Sequence, residues 1–498
     1  MKLPILIAMV LYMAMVIWIG VIYSKKTKTS EDYFLGGRGL GPWVTAMSAE
    51  ASDMSSWLLM GLPGLAYATG FSQAGWTAIG LILGTYLNWK IVAKRLRHYT
   101  EVADNAITVP DFFSNRFKDD KKILSSISAV MILIFFTVYT ASGFAACGTL
   151  FNSVFGLNYQ KSMIVCAIVI VLYTSMGGFL AASTTDLIQG LLMSFAIVIV
   201  LIVGVVNAGG VANVIAHGQA MEGFFDVMKY HDPATGGAVS QGVIPILSGL
   251  AWGLGYFGMP HIIIRFMSIK SQKDLKKSAK IGITWTLLIV FFATLIGVIG
   301  RLFLGFDESI NENSLVFIQI VRKIFPGVIS GILLSAVLAA SMSTADSQLL
   351  AASSAFSSDV YKPVIRKGKA SDKEMMWTGR IVVLGIAVAA LIIASNPNAG
   401  SIMALVSNAW GIFGAAFGPA IMLSLFWKRF NFKGAVAGII TGAAVDILWY
   451  AFLSSTGIYE LLPGFVFGLI AAVVVTLCTN EPSKEVYELF DKAQKFDE

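Results

Sequence analysis

Thirteen stretches of about 20 mostly apolar residues run through this chain, each long enough to cross the roughly 30 Å hydrocarbon core of a bilayer as a helix. They fall near 4–23, 43–63, 74–93, 123–151, 162–182, 186–207, 241–264, 279–303, 327–357, 375–395, 400–427, 434–454 and 461–479. Lipid offers no partner for an open backbone N–H or C=O, so such runs fold as helices packed on one another. Composition agrees: 56% of the 498 residues are hydrophobic and 13% are charged, about half the charge of a soluble domain. A disordered chain, a disulfide scaffold and an ordinary cytosolic enzyme are excluded. The fold expected is all-α and polytopic. The first run exceeds a signal-peptide core, lacks an A-x-A cleavage site and precedes Lys25 and Lys26, so it reads as a retained span.

The net charge of +7 is distributed by loop. Alternate loops carry Lys25, Lys26, Lys28 and Arg38; Lys94 to Lys122; Lys270 to Lys277; Arg366, Lys367 and Lys369; then Lys428, Arg429 and Lys433. The opposite loops are nearly bare of lysine and arginine apart from Lys161, Lys229 and the stretch from Arg301 to Lys323. The positive-inside rule then places the N-terminus outside and the C-terminus in the cytoplasm of a multi-pass plasma-membrane protein. Cys147, Cys166 and Cys478 lie in or beside apolar runs without CxxC spacing and read as buried thiols. No Walker or GxGxxG phosphate loop opens a strand–helix unit, which argues against an ATP-driven pump and gives no sign of nucleic acid binding. No obligatory protein partner is indicated.

Two spans are interrupted by polar or glycine-rich breaks. The second contains Ser48-Ala-Glu-Ala-Ser-Asp-Met-Ser-Ser-Trp57, and the seventh contains Trp252-Gly-Leu-Gly-Tyr-Phe-Gly-Met-Pro260. Counted from the second span they are the first and sixth of ten helices, so they hold equivalent places in two five-helix halves. Paired broken helices of this kind mark a transporter's midplane site: freed N–H groups attract a carboxylate, and freed carbonyls a cation or ammonium. On span nine, Ser343 and Thr344 offer adjacent hydroxyl oxygens to a hard cation, with carbonyls of the broken second span completing the shell. The competing reading is that both hydroxyls bond back to their own helix.

The strings Ala51 to Gly64, Trp252 to His261, Ala339 to Leu350, Ser407 to Pro419 and Tyr173-Thr-Ser-Met-Gly-Gly-Phe179 resemble the sodium/solute symporter family, most closely the bacterial sodium/proline symporters. The resemblance covers essentially the whole chain. It implies a leucine-transporter-type fold of 13 helices with a 5+5 inverted repeat. An extra first helix and inner loop would occupy 1–40, the repeats 41–207 and 241–427, two further helices 428–479, and a cytoplasmic tail 480–498. It also implies sodium-driven import of L-proline. Sodium would be held by the Ala51, Met54 and Ala340 carbonyls and the Ser343 and Thr344 hydroxyls. The proline pocket would fall on Ser55, Trp57, Tyr139, Trp252 and Tyr256, with Ser56 and Gly258 at the two breaks; Asp53 and Ser55 match positions tied to coupling, and Arg38 a position at the inner gate. Independently, aromatic walls suit an apolar ring carrying an ammonium.

Ser56 stands where many members of the family have glycine, and Glu50 where a small or neutral residue is common. An acid beside a proposed sodium ligand is a functional-site candidate: it adds a cation preference, is protonated, or pairs with a lysine off-site. Asp186, Ser343, Asp346 and Ser347 resemble an additional cation site of some relatives, the alternative being structural contacts with backbone N–H groups or an arginine at the cytoplasmic mouth. His261 reads as a satisfied interfacial histidine and cannot alone furnish an enzyme's nucleophile–base pair. The function expected is secondary transport without catalysis: sodium and proline symport by alternating access. The alternative within transport is the same fold carrying another amino acid, pantothenate or choline, or running on protons. A transporter-like sensor is disfavoured because no signalling domain follows residue 480.

Overall fold

The computed structural model describes residues 2–312, 314–396 and 401–495. The expected start of the eleventh span at residue 400 and the tail end 496–498 lie outside them. Apart from a two-stranded hairpin that sets Lys229 opposite Ser240, the described secondary structure is helical. Nine of these helices are long and apolar enough to cross a membrane, ten when Val243–Phe257 and Pro260–Ser268, bent by 44°, are taken as one broken span.

Where the expected runs and the helices differ in number, the cause is local. The second run is divided into Pro42–Ser56, a wide turn Trp57–Gly61 and Leu62–Thr69. The third begins with the 17-residue helix Phe71–Leu87. The fifth and sixth merge into Tyr159–Asn207, 49 residues in all, which at 1.5 Å per residue would reach about 74 Å if straight, more than twice the hydrocarbon thickness. Its continuity is broken at Gly178, whose φ of 58° and ψ of −151° are not helical. A Cβ there would sit 2.7 Å from the Tyr33 ring and 2.8 Å from the Tyr33 carbonyl oxygen. Gly178→Ala therefore meets both a strained backbone and an immovable neighbour. Folded yield in detergent is expected to fall several-fold, and a yield equal to wild type would contradict this account of the break.

Gly327–Ile365 is a central pillar: 83% of its most apolar window is buried, against 28% for Asp372–Ser395 at the periphery. The pillar packs against Lys2–Ser24, Pro42–Ser56, Ile123–Phe155 and Tyr159–Asn207. The seventh span approaches Phe71–Leu87 closely enough that a Cβ on Gly253 would collide with the Gly80 carbonyl. Small residues at such crossings let helices pack closely in lipid. A short helix, Lys484–Gln494, folds back so that Phe490 meets Tyr99 edge-on at 6.2 Å. Cys147 and Cys166 are buried, but Cys478 is exposed: it closes Leu461–Cys478 on the side facing away from the bundle, which corrects the expectation of three buried thiols.

Candidate ion and solute site

The second span breaks at Ser55, which holds φ 43° and ψ −171° inside an otherwise helical segment. A non-glycine residue in such a conformation costs on the order of 1–3 kcal/mol and persists only when its surroundings over-determine it. Here the Trp57 N–H donates to Ser55 Oγ at 3.1 Å, and the Trp57 N–H also caps the Met54 carbonyl. The seventh span tightens into a 3-10 turn over Trp252–Phe257 and restarts at Pro260, which has no N–H to lose.

One turn before the Ser55 break, the pillar meets the second span. The Ser343 hydroxyl lies 2.8 Å from the Ala51 carbonyl oxygen and 3.2 Å from that of Ala340, and the Thr344 hydroxyl lies 3.2 Å from the Ala340 oxygen. Four of the five expected sodium ligands are thus mutual neighbours, and Met54 follows on the next turn of the same helix. The bond to Ala340 is the back-bonding that the two hydroxyls were weighed against, but the bond to Ala51 joins two spans. All of these groups offer hard oxygens, and none of the five residues is more than 2% exposed. A donor set of carbonyl and hydroxyl oxygens suits a hard cation rather than a soft transition metal.

Just beyond the break, Asp53, Met54, Ser55, Trp57, Leu81, Tyr139, Trp252, Tyr256, Val406 and Trp410 enclose a cavity. It has room for the centre of about one water molecule, about 10 Å³. Trp57 stacks on Trp252 with centroids 5.6 Å apart, and Trp252 stacks on Tyr459 at 5.2 Å. The Trp410 indole N–H donates to the Trp252 carbonyl at 2.8 Å while its ring meets Tyr256 edge-on. The Tyr256 hydroxyl donates to Asp53 Oδ2, linking the two broken helices directly. Of the expected pocket residues, Ser55, Trp57, Tyr139, Trp252 and Tyr256 line this cavity, whereas Ser56 and Gly258 do not. Ser56 Oγ is buried without a partner, and Gly258 sits where a Cβ would strike the Phe413 carbonyl. Sequence reasoning missed Trp410 as a wall, although it lies within the Ser407–Pro419 string. It had no means of finding Tyr459, which reaches in from a peripheral loop.

The acids separate into two settings. Glu50 accepts from the Trp89 indole N–H at 2.7 Å and from the Thr286 hydroxyl, so its partners are neutral and not the lysine considered as one alternative. Asp186 and Asp346 surround Arg265, a fully buried guanidinium that the sequence reading did not single out. Arg265 donates from Nη2 to Asp186 Oδ2 at 3.4 Å and to Ser347 Oγ, from Nε to Ser48 Oγ at 3.1 Å, and from Nη1 to the His261 carbonyl. Ser48 also donates to Asp186 Oδ2 at 2.6 Å, Ser347 to Asp346 Oδ1 at 3.0 Å, and the Tyr173 hydroxyl to Asp346 Oδ2 at 2.6 Å. The arginine considered for these acids was one at the cytoplasmic mouth; Arg265 is instead buried in the bundle and, among the described residues, is ion-paired with Asp186 alone. Its location in the seventh span, five residues after Pro260, is the signal that was available. His261 is not interfacial: it is completely buried, with Nε2 3.2 Å from the Ser52 carbonyl oxygen and its ring edge-on to Phe136. The helix restarts inside the bundle rather than at its edge.

Arg38 bridges the loops at one end of the bundle. It donates to the Asn105 side chain at 2.7 Å, to the Ala106 carbonyl at 2.7 Å and to the Met267 carbonyl. These contacts tie the loop after the first span to the loop after the third and to the end of the seventh.

Comparison with known proteins follows the same lines. A profile of the Sodium:solute symporter family matches residues 33–442. The chain is 46% identical to the osmoregulated proline transporter of Bacillus subtilis (strain 168) over 99% of both chains. It is 43% identical to the sodium/proline symporter of Escherichia coli (strain K12), covering 98% of this chain and 96% of that one. Among solved structures, a Na+-coupled sialic acid symporter in a substrate-bound, outward-open state superposes with a TM-score of 0.79 at 20% identity, over 97% of this chain and 99% of that one. This last likeness shows the fold.

Proposed function

The chain belongs to the Sodium:solute symporter family, and from that membership we propose that it imports L-proline together with sodium across the plasma membrane. The observation that carries this reading is the approach of the Ser343 hydroxyl to the Ala51 carbonyl, 2.8 Å apart, one turn from the aromatic cavity. Sodium is cargo here, and its arrival would replace O–H···O contacts with ion–oxygen contacts from Ala51, Met54, Ala340, Ser343 and Thr344. Binding so placed fastens the second span to the pillar and thereby favours the arrangement in which Asp53 and Tyr256 hold the two breaks together. That is positive coupling between ion and solute. The helix break at Ser55 would receive the proline carboxylate, and Trp57, Tyr139, Trp252 and Tyr256 its ring and ammonium.

A cavity with room for about one water is an occluded arrangement. Loading proline requires the stack of Trp57, Trp252 and Tyr459 to part, and release requires the Arg38 bridge to open on the other side. In this reading the chain has thirteen spans, the helix Tyr159–Asn207 supplying two, with a 5+5 repeat over 41–207 and 241–427 and the N-terminus outside. Glu50 is a strut between the second span and Gln272–Leu304, and Arg265 already supplies a positive charge to Asp186, Asp346 and Ser347.

Radiolabelled L-proline uptake into proteoliposomes tests the function. An inward sodium gradient is expected to drive accumulation well above that seen with an equal potassium gradient. Sodium-driven accumulation of some other solute, with none of proline, would discard the pocket assignment and keep the mechanism. Absence of any coupled uptake would overturn transport.

A further inference from the structure

A second cavity, with room of about 240 Å³, lies among the loops that join the basic ends of the helices, lined in part by Asp111, Lys122, Ser358, Asp359 and Lys362. Its floor is Asp359, only 3% exposed, whose Oδ2 accepts from the Thr108 hydroxyl at 2.7 Å. Among the described residues this buried carboxylate forms no ion pair. Lys122 stands 3.9 Å from Asp111, a loose pairing with both side chains partly exposed, and Lys362, exposed at the rim, belongs to no ion pair among the described residues. Asp359 and Lys362 sit on a widened helical turn, Phe356–Ile365, that carries Pro363 within it. Such windings are rare and recur at functional sites. The buried Ser357 and Ser358 hydroxyls nearby have no hydrogen-bond partner among the described residues.

Two carboxyl groups and two ammonium groups share this cavity. A multivalent anion would meet Asp111 and Asp359, and a divalent cation would meet Lys122 and Lys362. A small zwitterion meets neither objection, because its ammonium can descend to Asp359 while its carboxylate stays among the rim lysines and Ser358. We propose that this cavity is a second solute site for a small zwitterion, and that its occupant is the carried amino acid on the cytoplasmic side. The proposal rests on the transport reading given above.

Equilibrium binding of tritiated L-proline to the purified full-length protein, with and without sodium, separates the two sites. The expected result is one sodium-dependent class whose half-saturating sodium concentration Ser343→Ala raises about 10- to 150-fold, and a sodium-independent class that Ser343→Ala leaves unchanged. Asp359→Asn should weaken the second class tenfold or more and Lys362→Met several-fold. Should Asp359→Asn fail to fold, Lys362→Met carries the test, because its side chain lies at the exposed rim. Sodium-dependent binding without a sodium-independent class, or a sodium-independent class that neither variant alters, would overturn the second site. A wild-type protein without sodium-dependent proline binding would instead overturn the transport reading.

Discussion

Arg265→Met is expected to abolish most of the folded protein. The guanidinium is fully buried and reaches Asp186, Ser347, Ser48 and the His261 carbonyl. Removing it leaves two carboxylates, Asp186 and Asp346, facing each other in the bundle without a cation. Breaking a buried ion pair by deleting one partner costs about 3–5 kcal/mol, a large share of the roughly 5–15 kcal/mol that holds a typical fold. Monodisperse yield and thermal unfolding in detergent read the effect. A second change, Asp186→Asn, applied on top should recover part of the loss, since it returns the cluster from two uncompensated charges to one. An Arg265→Met protein as stable as wild type would show that the cluster is held neutral by protonation instead.

The other large effect is on the ion. Ser343→Ala and Thr344→Ala each remove one oxygen from the proposed sodium shell, and Ser343→Ala also removes the contact that joins the pillar to Ala51. Hydrogen bonds and ion contacts involving a charged partner contribute about 1.5–3 kcal/mol, so the sodium concentration giving half-maximal uptake should rise about 10- to 150-fold. The proline KM at saturating sodium should move far less. Ser341→Ala is the control: its hydroxyl bonds to the Val337 carbonyl of its own helix, at 2.9 Å, and to no other span among the described residues, so it should leave the sodium dependence near wild type. Equal responses from Ser341 and Ser343 would place the ion elsewhere.

Much of this was legible before any coordinates. The apolar runs, the matched breaks at Ser55 and Trp252–Pro260, and the hydroxyl pair at Ser343 and Thr344 are properties of consecutive residues, and backbone that cannot pair in lipid must announce itself in composition. The apolar runs put the boundary between the fifth and sixth spans at 183–185, whereas the helix breaks at Gly178, because a glycine pair inside an apolar run looks the same whether the helix continues or turns.

What remained hidden were partnerships across the fold. Arg265 meets Asp186 over a separation of 79 residues, and Trp410 meets Trp252 over 158. Glu50 finds Trp89 and Thr286, not a lysine, because of how three helices cross. Tyr459 closes the aromatic stack from a loop between two peripheral helices. Apolar runs and polar breaks are local chemistry meeting lipid, so consecutive residues alone established that this chain spans a membrane and that its second and seventh spans are interrupted. Only the tertiary structure decided which buried acid faces a cation, which aromatic rings seal the cavity and how little room it leaves. Those depend on helix crossing and rotation, which are set by packing that no stretch of consecutive residues records.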